Sequence, residues 1–392
     1  MKKTSLVLMI CFVFGIVFMP PSNRGWLNGL ASIGGLNGVN IQPSYYDNQS
    51  FRNHPDSEQI FVQNRSFDRN PFFSYHSNLE ELPTVSRNHT IFVNLDEIED
   101  RLGIQVKVDA QDGTITIHHQ TDTFEMVQGI PVFNCNGIYE PMEQAPLIQN
   151  GNALVPLSFM ERVLQQQVVV IGRTAEWQVN PASIPVFAPK RSLPKMSVRE
   201  MARYLSFLKS PIHDAYVSSH DSHLPGAPRT YRHGVHQGLD WYTYGTGVTI
   251  NKHTPVYSLA DGVVVRADLH YKEMTPAERN QLLAAGSKND GQTPAYILDK
   301  MRGRQVWVQY GKGVMARFVH LSQIAPNIKV GHTIKAGELI GYAGNSGTSD
   351  GAKGNDQGVH LHLDLLLYGD WFWKDYTMHE RREILDEVFD KK

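Results

Sequence analysis

With 392 residues, the chain is too long for one average domain and long enough for two folded units with their own hydrophobic cores. Its formal net charge is −2 and it has no long block of lysine or arginine, so it lacks the basic footprint of a nucleic-acid-binding protein. Cys135 is the only cysteine outside the apolar N-terminal run, which excludes an intramolecular disulfide in the rest of the chain.

The N-terminus has the charge-then-apolar layout of an export signal. Met1-Lys2-Lys3 is followed by an apolar run from Leu6 to Met19 and then by Pro20-Pro21. The run is shorter than the ~20 residues of a comfortable membrane span, and no small-x-small cleavage site follows it directly. We therefore expect residues 1–21 to be either a cleaved signal peptide or a retained membrane anchor. Both alternatives predict an exported protein at the extracellular face of the membrane or in the cell wall.

Two segments have the composition of connectors. Residues 22–81 are mostly rich in Gly, Asn and Ser without a steady hydrophobic period, which predicts a flexible, low-complexity tether. Residues 181–196 contain Pro181, Pro185, Pro189 and Pro194, which interrupt any helix or central strand. We expect this second segment to be a linker between two folded units.

An internal repeat occupies the region between the connectors. The segment 91–95 (IFVNL) aligns with 153–157 (ALVPL), and the apolar positions that follow each segment first have helical spacing and then strand spacing. Each half therefore predicts strand, helix, strand, strand. Residues 82–180 are expected to form a small α+β module made of two such repeats.

With the segment 150–159 (NGNALVPLSF), this pattern resembles the copper amine oxidase N-terminal-like module, an appendage of bacterial surface proteins. The module is not the catalytic part of those oxidases, and no Thr-x-x-Asn-Tyr-Asp/Glu sequence is present from which their quinone could form. Copper is therefore not implied. We expect the module to be a spacer or a wall-docking domain.

From residue 197 to 375 the pattern becomes that of an antiparallel, β-rich domain. A capping box at Ser197 and Glu200 predicts a helix over 201–208. Gly and Pro turns then separate short apolar or alternating runs. These runs predict strands at 248–250, 256–259, 262–266, 305–310, 316–320, 338–342 and 359–367.

Residues 268–303 are too long a join for a compact hairpin, which indicates a helical insertion. Thr275-Pro276 predicts a helix from Pro276 to about Ala285, ended by Gly286, and Thr293-Pro294 begins a second helix through Met301. We expect a folded flap, either at the rim of a groove or packed on the sheet away from it. A charged helix is predicted over 376–392.

Two short motifs carry metal-ligand chemistry. His236 and Asp240 are four residues apart, and His360 and His362 are two apart, so on extended chain each pair faces one side. Imidazole nitrogens and carboxylate oxygens are good zinc ligands, and a catalytic zinc takes three of them and leaves one position open. Asp364 shares the face of His360 and His362, as a group that orients a ligand or as a solvated carboxylate.

Together with His320-Leu321-Ser322 and the glycine-rich stretch 331–358, these motifs resemble the lysostaphin-type (LytM-like) zinc metallopeptidases over about residues 234–367. The resemblance implies that His236, Asp240 and His362 bind one zinc ion per chain. It also implies that His360 and His320 are the catalytic histidines, without fixing which of them moves the proton of water.

The resemblance implies a zinc metalloendopeptidase that hydrolyses peptide bonds of bacterial peptidoglycan, with stem or cross-bridge peptides as partners. Glycine bridges, the D-alanyl cross-link and the L-alanyl to D-glutamyl bond are all cut by relatives, so the bond stays open. Two other functions also stay open: a catalytically silent scaffold that activates other wall hydrolases, and a general secreted metalloprotease. Copper-dependent oxidation lacks its quinone sequence.

Overall fold

The computed structural model describes residues 79–171, 174–232, 234–288 and 293–390. The expected signal or anchor, and the expected tether up to residue 78, lie outside these residues. Within the described ranges, no helix has the length and apolar character that a membrane crossing requires.

The N-terminal module consists of short strands with two short helices. In chain order its elements are β1 Glu80–Leu82, β2 Thr84–Arg87, β3 Thr90–Asn94, α1 Glu99–Leu102, β4 Gln105–Asp109, β5 Thr114–His119, β6 Asp122–Val127, β7 Val132–Cys135, β8 Ile138–Pro141, β9 Leu147–Gln149, β10 Asn152–Pro156, α2 Leu157–Arg162, β11 Gln167–Ile171 and β12 Thr174–Gln178.

The two predicted repeats are confirmed as β3-α1-β4-β5 and β10-α2-β11-β12. Their first strands, β3 and β10, pair with each other in a sheet ordered β2-β3-β10-β9. The strands β6, β7 and β8 between the repeats were not predicted, and they extend β4-β5 into a five-stranded meander. The expected tether 22–81 reaches too far, because Glu80 and Glu81 already pair with β12.

The C-terminal domain is β-rich, as predicted, with few helices. Its elements are α3 Val198–Leu205, β13 Pro228–Arg229, β14 Gly234–Val235, β15 Leu239–Tyr242, β16 Pro255–Tyr257, β17 Gly262–Ala267, α4 Pro276–Gly286, α5 Ala295–Met301, β18 Val306–Tyr310, β19 Val314–Val319, β20 Gln323–Ile324, β21 Thr333–Ile334, β22 Leu339–Tyr342, α6 Ser349–Ala352, β23 His360–Leu367, β24 Asp370–Trp371 and α7 Met378–Phe389.

A seven-stranded antiparallel sheet forms the body of this domain, ordered β15-β23-β19-β18-β17-β21 with β24 also on β23. All eight residues of β23 are buried, and the strand lies between β19, which pairs with His362 to Leu367, and β15, which pairs with His360 to Leu363. A second sheet, β16-β22-β20, packs its apolar residues into the same core. Histidine and aspartate on β23 are therefore held in a strand that cannot shift its register freely.

The predicted strand at 248–250 is wrong. Ile250 donates its backbone N–H to Oγ1 of Thr243 at 2.9 Å, and the Thr243 hydroxyl donates to the Ile250 carbonyl at 3.0 Å. The polar groups of this residue are thus satisfied within a loop, so no partner strand is needed.

The helices follow their capping signals. Ser197, Thr275 and Thr377 each form a capping box with the glutamate three residues later, at the starts of α3, α4 and α7. Both helices of the insertion are confirmed at nearly the predicted bounds. The C-terminal helix α7 also exists, and its buried face, with Leu385 and Phe389, belongs to the core of the C-terminal domain.

The N-terminal module packs directly against the C-terminal domain. Ile130, Val132 and Tyr139 of the module form one buried cluster with residues of β17, β18, β19 and β23. The ring of Tyr139 meets Trp307 edge to face with 6.3 Å between ring centroids. The Tyr139 N–H also donates to Oε1 of Gln309 at 3.0 Å. The module and the C-terminal domain therefore share a small hydrophobic core here.

Candidate metal centre

Two neighbouring strands bring the sequence-predicted ligands together. Asp240 on β15 lies directly opposite His362 on β23 in the antiparallel register. His236 precedes β15 in a segment held to Ala227 by a 2.7 Å backbone hydrogen bond. Between them, Gly238 permits a close approach, because a Cβ there would lie 2.3 Å from the carbonyl oxygen of Leu363. The glycine is therefore a steric requirement for pairing the two motifs.

The three candidate metal-ligand atoms lie close together. His236 Nε2 lies 3.0 Å from Oδ1 of Asp240 and 2.8 Å from Nδ1 of His362, and the last two atoms are 2.8 Å apart. All three side chains are buried, with at most 8% of any residue exposed.

Each imidazole is oriented by its other ring nitrogen. His236 Nδ1 donates to the carbonyl oxygen of Leu224 at 3.0 Å, and His362 Nε2 donates to Oδ1 of Asp364 at 2.8 Å. Carbonyl and carboxylate oxygens accept hydrogen bonds, so these nitrogens carry the ring protons. The lone pairs of neutral His236 and His362 then point at each other and at Asp240. Such a set of donors fits a metal ion, which would relieve their mutual repulsion.

Without a metal ion, the pKa shifts leave His236 neutral at pH 7 and favour a second ring proton on His362. Burial lowers the pKa of His236 to about 4, so its Nε2 is free at neutral pH. Burial also lowers the pKa of His362, but Asp364 and Asp240 outweigh this effect and raise the pKa to about 8. A metal ion would consequently displace a proton from His362 on binding. Burial alone would raise the pKa of Asp240, but His236 and His362 bring it well below the ordinary value, so the carboxylate is ionised.

The two predicted catalytic histidines lie beside this centre. His360 Nδ1 donates to the carbonyl of Gly358 at 2.8 Å, and its ring stacks on Tyr242 with 4.2 Å between centroids. His320 Nδ1 donates to the carbonyl of Ser346 at 2.7 Å, and its ring centroid is 4.8 Å from that of His360. In both residues the Nδ1 proton is fixed by the backbone, which leaves Nε2 as the atom able to take up a proton. Burial lowers both pKa values, so both rings are neutral at pH 7.

His320 has a left-handed backbone, with φ of 61°, which few non-glycine residues adopt. Its N–H donates to the carbonyl of Arg302 at 2.9 Å, and this bond helps to hold the strained position. Strain of this kind concentrates at functional sites, where the surrounding structure maintains it.

Asp364 has the orienting role that was one of its two predicted alternatives. Its carboxylate is completely buried, and the guanidinium of Arg302 donates to it from Nε at 3.1 Å. Arg317 Nη1 lies 3.7 Å from the same oxygen. Burial would raise the pKa of Asp364, but Arg302 and His362 lower it below the ordinary value, so it is a permanent acceptor for His362. Sequence reasoning missed both arginines, because neither lies in a motif.

A groove with a volume of about 350 Å³ opens over the five predicted site residues. Leu283 of α4 and Leu298 and Met301 of α5 line it, which places the insertion at the rim rather than away from the groove. The three aromatic residues that follow Asp240 have different environments. Trp241 is buried in the core, Tyr242 lines the groove, and Tyr244 is 57% exposed.

Comparison with known families identifies both units. The C-terminal domain is a domain of peptidase family M23, whose family model matches residues 241–372. The N-terminal module is a copper amine oxidase N-terminal domain, matched over residues 75–178. The M23 match begins directly after Asp240, so the assignment of His236 and Asp240 depends on the geometry above.

Curated proteins and solved structures that are similar to the chain include the following three. The peptidoglycan DD-endopeptidase ShyA of Vibrio cholerae is 32% identical over 142 residues, which cover 36% of this chain and 23% of that protein. An uncharacterized metalloprotease of Buchnera aphidicola is 24% identical over 223 residues, covering 57% of this chain and 45% of that protein. The chain thus spans less than half the length of either curated relative. The catalytic domain of lysostaphin from Staphylococcus simulans is 20% identical with a TM-score of 0.24, and the match covers 46% of this chain and 90% of that domain.

Proposed function

We propose that this protein is an exported zinc metalloendopeptidase that hydrolyses peptide bonds in peptidoglycan. The observation that carries the proposal is the convergence of His236 Nε2, Asp240 Oδ1 and His362 Nδ1, whose three ligand atoms lie within 4.8 Å of one another. Two imidazoles and one carboxylate are a ligand set typical of catalytic zinc. The likeness of this region to a peptidoglycan endopeptidase supports a cell-wall substrate, and the charge-then-apolar N-terminus supports export.

Bound zinc supplies Lewis-acid chemistry, which makes water more acidic and polarises a scissile carbonyl group. The protein supplies the proton transfers. His360 and His320 present unprotonated Nε2 atoms on the same side of the centre, so between them they accept the proton of water and return one to the leaving amine. His360 Nε2 also lies 3.8 Å from Oδ1 of Asp240, and the carboxylate favours the protonated ring.

Asp364 and Arg302 act on the centre indirectly. Arg302 neutralises Asp364, Asp364 fixes the ring of His362, and the carbonyl of Arg302 fixes the backbone of His320. One residue of the insertion thereby positions a proposed ligand and a proposed catalytic group. This arrangement keeps the site rigid before substrate binds.

The test uses the purified protein with its metal removed by a chelator and then restored with zinc alone. Each form is incubated with purified peptidoglycan, and released fragments are identified by mass spectrometry. We expect cleavage only after zinc is restored, with about one zinc per chain by elemental analysis. Casein is the matched substrate control: cleavage of casein without cleavage of peptidoglycan would indicate a general secreted protease. Zinc binding without any cleavage would indicate a silent scaffold.

A further inference from the structure

The groove over the proposed zinc site is strongly cationic. Among the described residues that line it are four arginines, namely Arg229, Arg232, Arg279 and Arg302, and one acidic residue, Asp240. If Asp240 binds a metal ion, its negative charge no longer balances the positive charges of the four arginines in the groove wall. A substrate that enters the groove therefore meets a field that favours negative charge.

Two of the four arginines, Arg302 and Arg229, donate hydrogen bonds to residues at or beside the proposed metal site. Arg302 donates to Asp364 and to Oε1 of Gln237. Arg229 donates to the carbonyl of Ser222 at 2.9 Å and approaches Asp240 at 3.4 Å. These two guanidiniums are therefore committed to holding the site.

Arg232 is less well compensated. It is 7% exposed, and the acceptor of its Nη2 is the backbone carbonyl of Val235 rather than a carboxylate. Within the described part of the chain, no carboxylate pairs with Arg232.

Arg279 differs from all of these. It projects from α4 of the insertion and is only 7% exposed, yet its Nε and Nη1 atoms are buried and have no acceptor among the residues that the structure describes. Burial accordingly lowers its pKa, with Tyr231 acting in the opposite direction. Burying guanidinium donors without partners is costly, so such a group in a groove wall calls for a functional explanation, and an anionic ligand entering the groove would supply the missing acceptors.

We propose that Arg279, supported by Arg232, forms a carboxylate subsite, so that the peptide cut by this protein carries a free carboxylate close to the scissile bond. The inference rests on the proposed peptidase function and deepens it. A planar guanidinium binds a carboxylate through two parallel hydrogen bonds, which suits a peptide carboxyl group. Such a subsite favours an acidic stem peptide over a glycine bridge, which has no side-chain carboxylate. Leu283, one turn further along α4, offers an apolar surface beside the carboxylate.

The experiment measures binding and cleavage of matched synthetic peptides by the zinc-loaded, full chain. One peptide contains an L-alanyl to D-glutamyl bond with the glutamyl α-carboxyl group free, the second has that group amidated, and the third is pentaglycine. Binding is measured by fluorescence anisotropy in the His360→Ala variant, which prevents turnover, and kcat/KM is measured in the unmodified protein. We expect the free acid to bind about 10- to 100-fold more tightly than the amide, the value for a charged hydrogen bond.

In an Arg279→Gln background this preference should fall to about twofold or less, and Arg279→Lys should keep part of it because it retains the charge. Arg199→Gln removes an exposed arginine of α3 outside the groove and should leave the preference unchanged. Thermal unfolding and zinc content establish that each variant is folded. Equal binding of acid and amide, or an acid preference that survives in folded Arg279→Gln, overturns the subsite while peptidoglycan cleavage would still uphold the proposed function. Binding of none of the three peptides also overturns it.

Discussion

His362 Nε2 and Asp364 Oδ1 lie 2.8 Å apart on one face of β23, and the carboxylate has no contact with solvent. This hydrogen bond selects the ring tautomer that leaves Nδ1 of His362 facing His236 and Asp240. The orientation of a proposed metal ligand therefore depends on a residue that does not reach the metal itself.

Replacing Asp364 by Asn should lower zinc affinity by about 10- to 100-fold, because the amide accepts more weakly and leaves Arg302 without its partner charge. The dissociation constant is measured by competition with a chromophoric chelator. Asp100→Asn, which removes an exposed carboxylate of α1, is the control for the loss of one negative charge. An unchanged zinc affinity in a folded Asp364→Asn protein would contradict the positioning role.

Alanine variants should distinguish the proposed metal ligands from the proposed proton-transfer histidines. Alanine at His236, Asp240 or His362 removes one of three ligands and should abolish stoichiometric zinc binding. Alanine at His360 or His320 should leave zinc bound and reduce kcat by about 10²-fold or more, because a proton-transfer group is lost. Elemental analysis and peptidoglycan digestion are run on the same preparations. Zinc loss in His360→Ala together with zinc retention in His362→Ala would mean that these two roles are exchanged.

Local pattern predicted much of this fold. The capping boxes at Ser197 and Thr275 located α3 and α4, since a polar cap and a glutamate three residues later satisfy the same backbone groups in any context. The alternation in β23 placed His360, His362 and Asp364 on one face, which the structure confirms. The repeat predicted both strand-helix-strand-strand units.

What the sequence did not predict depends on contacts between distant residues. Arg302 is 62 positions from Asp364, and the pair exists only because the insertion folds back over β23. The strand at 248–250 fails because Thr243 satisfies the backbone of Ile250. The docking of the module against Trp307 depends on apolar residues whose strand pattern is the same whether they face a core or a neighbouring domain.

That docking predicts a stability contribution from the module. Tyr139→Ala should lower the free energy of unfolding by about 3 kcal/mol, because it removes a buried aromatic ring from the shared cluster. A truncated protein that begins at Lys195 should unfold at a lower temperature than the full chain, because Trp307 and Met315 become exposed to solvent when the module is removed. Val169→Ala on β11 is the matched control, as Val169 is 40% exposed. If the truncated and full-length proteins unfold at the same temperature, the shared cluster contributes no stability.

Glu140 on β8 should make stability depend on pH. Burial raises its pKa to about 7 from an ordinary value of 4.5. The folded state then binds a proton that the unfolded state releases, so stability falls as pH rises from 4.5 to about 7. Glu140→Gln should therefore be more stable than the unmodified protein at pH 8 and nearly equal to it at pH 4. Unfolding temperatures at both values test this, with the exposed Glu81→Gln as control. The same stability difference at both pH values would contradict it.

The insertion has two parts whose removal should have different consequences. In α5, Asp299 accepts from both terminal nitrogens of Arg266, at 2.5 and 3.0 Å, and Arg302 just after the helix holds Asp364. Excision of residues 269–302 would remove Asp299 from buried Arg266, which keeps Asp268, and Arg302 from buried Asp364, which keeps His362 and the more distant Arg317. Each buried charge would lose its main partner at a cost of up to about 3–5 kcal/mol, so this deletion is expected to destabilise the domain and weaken its metal site.

Replacing only residues 275–292 by a short Gly/Ser segment spares both ion pairs. Because α4 carries Arg279 and Leu283 into the groove wall, this shorter replacement should leave the protein folded and zinc-loaded while changing which peptides it prefers. The measurement is relative kcat/KM over a panel of purified muropeptides, with zinc content and unfolding temperature recorded for each protein. We expect the preference between acidic and amidated peptides to shrink and absolute rates on the amidated ones to change less, since the chemistry lies on β15, β19 and β23. Unchanged relative kcat/KM in a folded, zinc-loaded protein would mean that α4 lies at the rim without selecting the substrate.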